Sequence, residues 1–196
     1  DRLLLLTGAF SDWDNFRYEM AYEKLQKYLK LGNPPKDIVA YKMALEYVLK
    51  GKQLLKEGDE RQNTNKDLGQ APFLVYDLLW NAERKARAER YADAVARLYR
   101  AEEMYAQFAL LRIGIFTSNV DMEKLASLPE QRRSYYEKRR NEKGIVQIGL
   151  QDSYDLLAEL DHPVGHIWQE YRSKLMDLLI IRNYSILAHG VNPVSK

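Results

Sequence analysis

Apolar residues recur at helical spacing along nearly the whole chain. Phe16, Met20, Ala21, Leu25 and Leu29 form one stripe, with Asp12 or Asp14 as candidate caps and Gly32-Asn33-Pro34-Pro35 as its stop. Asp37 opens a second stripe through Ile38, Tyr41, Leu45, Val48 and Leu55, ending near Gly58, so the two predict a helical hairpin. The stretch DERQNTNKDLGQAP, at 59–72, is polar and turn-rich and predicts a loop. A second hairpin follows, with helices over 73–88 and 91–113. Ala94, Leu98, Ala101, Tyr105 and Phe108 stand at its inward spacings.

Positions 114–150 break this rhythm. Gly114, Pro129, Gly144 and Gly149 punctuate a densely charged segment, which reads as a long insertion with short helical pieces. A short helix over 153–160, a turn at HPVGH and a long last helix over 165–188 complete the chain. Only IVQIGL, at 145–150, hints at β alternation. The pattern predicts an all-α fold. It divides into an N-terminal helical hairpin or connector (1–58) and a second helical unit (73–196), or forms one compact unit. The hairpin ERYADAVARLYRAEEMYAQ also resembles a tetratricopeptide unit, but one imperfect copy does not make a solenoid, which needs several stacked repeats.

Composition narrows the chemistry. A hydrophobic fraction of 46% over 196 residues suits one globular domain, and 30 basic against 28 acidic residues leave a net charge of only +2. Any nucleic-acid surface must therefore be a local patch. The absence of cysteine excludes disulfides, thiolate metal sites and a cysteine nucleophile, and suits a cytoplasmic location. No apolar run approaches the roughly 20 residues of a membrane span. RLLLLTGAF is too short for a signal peptide, so no membrane partner is expected. A chain opening on Asp1 reads as a piece of something longer.

The candidate chemistry sits near the C-terminus, in RNYSILAHG at 182–190. On a helix of about 100° per residue, Arg182 and His189 lie seven positions and about 20° apart, on one face. Tyr171, Leu178 and Ser185 share that strip. Leu175, Met176, Leu179, Ile180, Ile186 and Leu187 form the core-facing arc, with Asn183 near its middle. A buried amide needs partners, and Arg100 and Glu103 in RLYRAEEMYAQ are candidates. The same residues also read as an ordinary helix end, because cations oppose the macrodipole there and Gly190 is a common stop.

RNYSILAHG resembles the R-N-x-x-x-x-x-H form of the Arg-x(4–6)-His motif of HEPN ribonucleases, matched at Arg182, Asn183 and His189. DLLWNAERKARAERYADAVARLYRAEEMYAQFAL is similar to the hairpin upstream of that motif in CRISPR-associated proteins of type III systems. These join an N-terminal CARF sensor to a C-terminal HEPN nuclease. GAFSDWDNFRYEMAYEKLQKYL resembles the helix that leaves the sensor, so the resemblance covers most of the chain from about Gly8. It implies a HEPN-like helical bundle and a catalytic set of Arg182, Asn183 and His189. The implied reaction is metal-independent cleavage of single-stranded RNA, with no DNA substrate. In that reaction the ribose 2′-hydroxyl attacks the adjacent phosphate. His189 can transfer a proton near neutral pH, and Arg182 can fork onto phosphate oxygens. Related domains homodimerise so that two motifs line one cleft. No cofactor is implied for the nuclease itself; a cyclic oligoadenylate activator belongs to the sensor, and no strand-rich sensor is present in this sequence.

Two further stretches carry candidate chemistry. In QRRSYYEKRRNEK, at 131–143, Arg132, Arg133, Arg139 and Arg140 surround Tyr135 and Tyr136. Such a mixture can track a phosphate backbone and stack on unpaired bases, and a solvated helix reads the same way. His162-x-x-x-His166 has a ligand-like spacing, but Pro163 and Gly165 disfavour the helix that would align the two, so no metal is expected. Readings without catalysis remain open: a helical HEPN or tetratricopeptide-like module that binds RNA or protein, or a HEPN protein of the antitoxin or nucleotidyltransferase-associated kind.

Overall fold

A computed structural model describes residues 2–58, 69 and 72–183. Among the described residues eight α-helices follow one another: α1 (Arg2–Asp14), α2 (Tyr18–Leu29), α3 (Lys36–Gly58), α4 (Pro72–Arg87), α5 (Tyr91–Arg112), α6 (Glu130–Glu137), α7 (Leu150–Glu159) and α8 (Pro163–Asn183). A 3-10 turn spans Met122–Leu125. Among the described residues no strand forms; the β hint at 145–150 amounts to a single bridge between Arg140 and Val146. The fold is all-α, as the periodicity requires.

The first predicted helix is corrected in two ways. RLLLLTGAF belongs to a helix of its own, α1, and α2 starts only at Tyr18. Asp12 and Asp14 therefore lie in the last turn of α1 and cap nothing. The break falls at Phe16, which takes a left-handed φ of 61° while the Arg17 amide closes back onto the Asp12 carbonyl at 2.9 Å. Glu89 (φ 58°) and Asp161 (φ 57°) repeat this device between α4 and α5 and between α7 and α8. There Arg90 bonds to Lys85 and His162 to Leu157, each at 2.9 Å. Such a closure usually recruits glycine, so three of the sharpest turns carry no glycine signal.

Two apolar clusters lie on the two sides of α5. Ala101, Met104, Phe108 and Leu111 join Ala21, Leu25, Leu45, Val48, Leu74 and Leu78 in the first, which unites α1 to α4. Ala106, Ala109 and Leu110 join Ile115, Leu125, Tyr136, Val146, Leu157 and Trp168 in the second. The segment 114–150 thus supplies core residues to the second cluster and is folded in; Val120 and Ile148 amides bond to Val146 and Thr117 carbonyls at 2.8 and 3.0 Å. The polar stretch 59–72 does not separate the cores, because α4, which follows it, buries its face with α1 to α3.

The last helix is set by the second cluster. His162 stands at its N-terminus with Nδ1 accepting from the Val164 amide at 3.2 Å. Pro163 opens the helix, at the position where a missing amide hydrogen costs least. Gly165 is buried inside the helix, and a Cβ there would overlap the backbone of Leu157 and Ala158. HPVGH is therefore a helix start that lets α8 lie directly against α7. Trp168 stacks on Tyr154 with centroids 4.7 Å apart and donates to Asp155 at 3.1 Å, and Arg172 reaches the same carboxylate at 3.2 Å. Leu175 and Met176 continue the packed side, as the helical wheel requires, while Tyr171 is exposed.

Candidate functional site

Arg182 and Asn183 occupy the last two described positions of α8, two turns beyond the packed Leu175 and Met176. The helix carries them away from the Gly165 crossing along a single continuous element. His189 lies outside the described residues. Arg100 and Glu103, offered as partners for Asn183, are paired with each other at 2.5 Å, and Arg100 also reaches Gln107 at 3.4 Å.

The basic and aromatic stretch on and after α6 is mostly engaged within the fold. Tyr136 is fully buried, with its hydroxyl on Glu159 at 3.0 Å, so it offers no face to a base. That removes Tyr136 from the RNA-contacting set; its phenol is also held well above its ordinary pKa, by burial first and by Glu159 next. Arg132 donates to Glu159 at 2.7 Å and lies over the Tyr135 ring at 4.4 Å from its centroid. Tyr135 donates to Asp152 at 2.7 Å, and Arg139 reaches both of them, 2.6 Å from the Tyr135 hydroxyl and 3.1 Å from Asp152. Arg133 pairs with Glu130, and Arg140 pairs with Glu137 at 2.7 Å and bonds to the Gly144 carbonyl. Arg139 and Arg140 keep 43% and 42% of their side chains exposed, so their outer edges remain open to solvent.

His162 and His166 do not converge as ligands. His166 Nε2 pairs with Asp161 at 2.8 Å on the surface, whereas His162 caps α8. Burial, with Arg112 and His166 adding to it, lowers the His162 pKa. Among the described residues no group of three or more histidine and carboxylate side chains is gathered to hold a metal.

Sequence reasoning missed a buried polar network where α1 meets α4. Asp77 accepts from Trp13 Nε1 at 2.7 Å and from Tyr18 at 2.8 Å. Burial raises the Asp77 pKa despite those two donors. Asn81, fully buried, donates to the Asp14 carbonyl and carboxylate at 3.0 and 3.1 Å and accepts from Arg97 at 2.5 Å. Lys85 and Arg84 also pair with Asp14, and they outweigh its burial and hold its pKa low. Apart from Arg97, 16 residues from Asn81, the partners are 59 to 71 residues apart, and no local pattern announces them. This network ties α1, α2, α4 and α5 together.

An all-α bundle whose last described helix carries Arg182 and Asn183, with His189 following in sequence, has the architecture of a HEPN-like domain. Residues 62–196 match the family model of the Csm6 HEPN domain, and the chain belongs to that family. It therefore carries a HEPN domain of CRISPR-associated proteins. No curated protein and no solved structure matches it. The matched region covers α4 to α8, so α1 to α3 precede it while sharing its first core. Among the described residues no helix is long and apolar enough to cross a membrane.

Proposed function

We propose that this chain is a metal-independent endoribonuclease that cuts single-stranded RNA, the effector part of a CRISPR-associated antiviral protein. The observation that carries the reading is the Arg182–Asn183–His189 spacing in the sequence, inside the region that matches the Csm6 HEPN domain family. The substrate supplies its own nucleophile, the ribose 2′-hydroxyl. The protein must then remove one proton, deliver another to the leaving 5′-oxygen and stabilise charge on phosphorus. His189 is the proton carrier, since an imidazole titrates near neutral pH. Arg182 is the phosphate clamp, because its guanidinium stays charged and presents a planar fork. Asn183, between them in the sequence motif, orients the pair.

One chain supplies one titrating group, whereas the reaction moves two protons. A homodimer with both His189 residues at one cleft meets that need, and an isologous contact along the Tyr171 strip of α8 would place them there. Tyr171, the described end of that strip, is 44% exposed. Arg139 and Arg140 provide a secondary contact for the RNA backbone through their exposed edges.

The test is to incubate the protein with end-labelled unstructured RNA in excess EDTA and to characterise the ends. The expected products carry a 2′,3′-cyclic phosphate and a 5′-hydroxyl. Cleavage that needs added magnesium, or that leaves 5′-phosphates, contradicts the reading.

A further inference from the structure

Away from α8's end, a cleft of about 340 Å³ opens between α4 and α5. Tyr76, Leu79, Tyr105 and Tyr154 wall it, Ala101 lies on its floor, and Glu102 reaches into it. Tyr154 is fixed in place: its ring is backed by Trp168, and its hydroxyl donates to the Glu102 carbonyl oxygen at 3.0 Å. Tyr76 and Tyr105 are 56% and 45% exposed, so their rings are available from outside.

The Glu102 carboxylate is the unusual member. It is half-buried among apolar and aromatic groups, and among the described residues no side chain donates to it. A desolvated carboxylate without a counter-ion is costly, and burial pushes its pKa up. Around the cleft, Phe73, Trp80 and Leu98 are exposed at 38%, 61% and 41% and continue an apolar surface on both helices.

We propose that this cleft is a docking pocket for a positively charged side chain, an arginine or lysine carried on an apolar segment of a protein partner, with Glu102 as counter-ion and the tyrosines as its walls. Charge complementarity selects the occupant. A cation between tyrosine faces and a carboxylate gains from the ring quadrupoles and from the opposite charge, and the exposed apolar rim buries against the segment that bears it. RNA is disfavoured, because no lysine or arginine lines the cleft to meet phosphate. A second copy of this chain about a two-fold axis through the cleft is disfavoured too, since it would set Glu102 against its own mate.

The experiment follows the Glu102 side-chain carboxyl and the Tyr76 and Tyr105 rings by NMR in the full chain. The probes are N-acetyl-arginine amide, its uncharged isostere N-acetyl-citrulline amide, and adenosine monophosphate. The arginine probe is expected to shift all three residues saturably and to lower the Glu102 pKa, while citrulline binds at least about tenfold more weakly. Glu102→Gln should weaken the arginine probe by a similar factor with its helical signal intact. Should that variant fold poorly, Tyr105→Ala, a change at an exposed ring, carries the same expectation. Equal binding of citrulline, preferential binding of adenosine monophosphate, or no saturable response of these residues overturns the proposal.

Discussion

On one face of α5, Asp77 and Asn81 are buried beside the half-buried Asp14, each held by partners from α1, α2, α4 or α5. On the other face, Trp168 lies on Tyr154 and Gly165 brings α8 against the backbone of α7. The first core is specified by directional polar bonds, the second by close approach and aromatic packing. α8, which carries the candidate catalytic residues, packs on α7 and α5 within the second core. Damage to the two cores should therefore reach the candidate site differently.

The largest expected effect is at the crossing. Gly165→Ala puts a methyl group into the Leu157–Ala158 backbone, where no flexible side chain can yield. Forcing the helices apart should cost about 3 kcal/mol or more. That lowers Tm by roughly 10 °C for a chain of this size, and RNA cleavage should fall with it because α8 shifts. A melting curve within a degree or two of the parent would show that the crossing is looser than described.

Asn81→Ala probes the other core. It leaves Arg97 and the Asp14 carbonyl short of a buried partner, at a cost of about 1–3 kcal/mol. Cleavage per folded molecule should stay at the parental level, since none of the bonds described for the network goes to α8. Loss of activity at a temperature where the variant is fully folded would erase the distinction between the cores.

Acid sharpens the comparison further. The His162 pKa is lowered in the fold, so its contribution is fully present above the ordinary histidine value of about 6.5 and is lost as pH falls through that value toward the lower folded pKa. Protonation also removes the Nδ1 acceptor that caps α8. Asp14, held low, keeps its contribution down to the ordinary carboxylate value of about 3.8 and loses it only as pH falls below that toward its lower folded pKa. Denaturant midpoints between pH 7.5 and 5.5 should decline in the parent and flatten in His162→Asn, which keeps a capping side chain. A slope unchanged by that substitution would assign the effect elsewhere.

The smallest effect belongs to the surface. Arg139→Glu with Arg140→Glu breaks exposed ion pairs, each worth about 1 kcal/mol or less. Stability should barely move, while RNA affinity weakens and its salt dependence flattens. Unchanged affinity across a salt series would return this stretch to a purely structural role.

Legibility followed the range of the interactions. The helices α3, α4 and α5 were readable because each carries an apolar stripe bounded by turn or capping residues. α1 was not, because its Leu3–Leu6 run shows no stripe and its end is a left-handed Phe16. The Arg182–Asn183–His189 spacing could be read because it is contained within eight residues. The stretch 131–143 looked like free charge because its partners, Asp152 and Glu159, lie 13 to 27 residues away. The network at Asp77 and Asn81 and the unpaired Glu102 appear only once α4 and α5 are set side by side.

The most direct measurement is the rate of RNA cleavage by His189→Ala and Arg182→Ala beside the parent, in EDTA, with melting curves on the same preparations. Removing a general acid–base group costs on the order of 10²–10⁴ in rate, so both variants should lose cleavage by at least about a hundredfold while melting as the parent does. Parental cleavage by a well-folded His189→Ala protein would contradict the account at its centre.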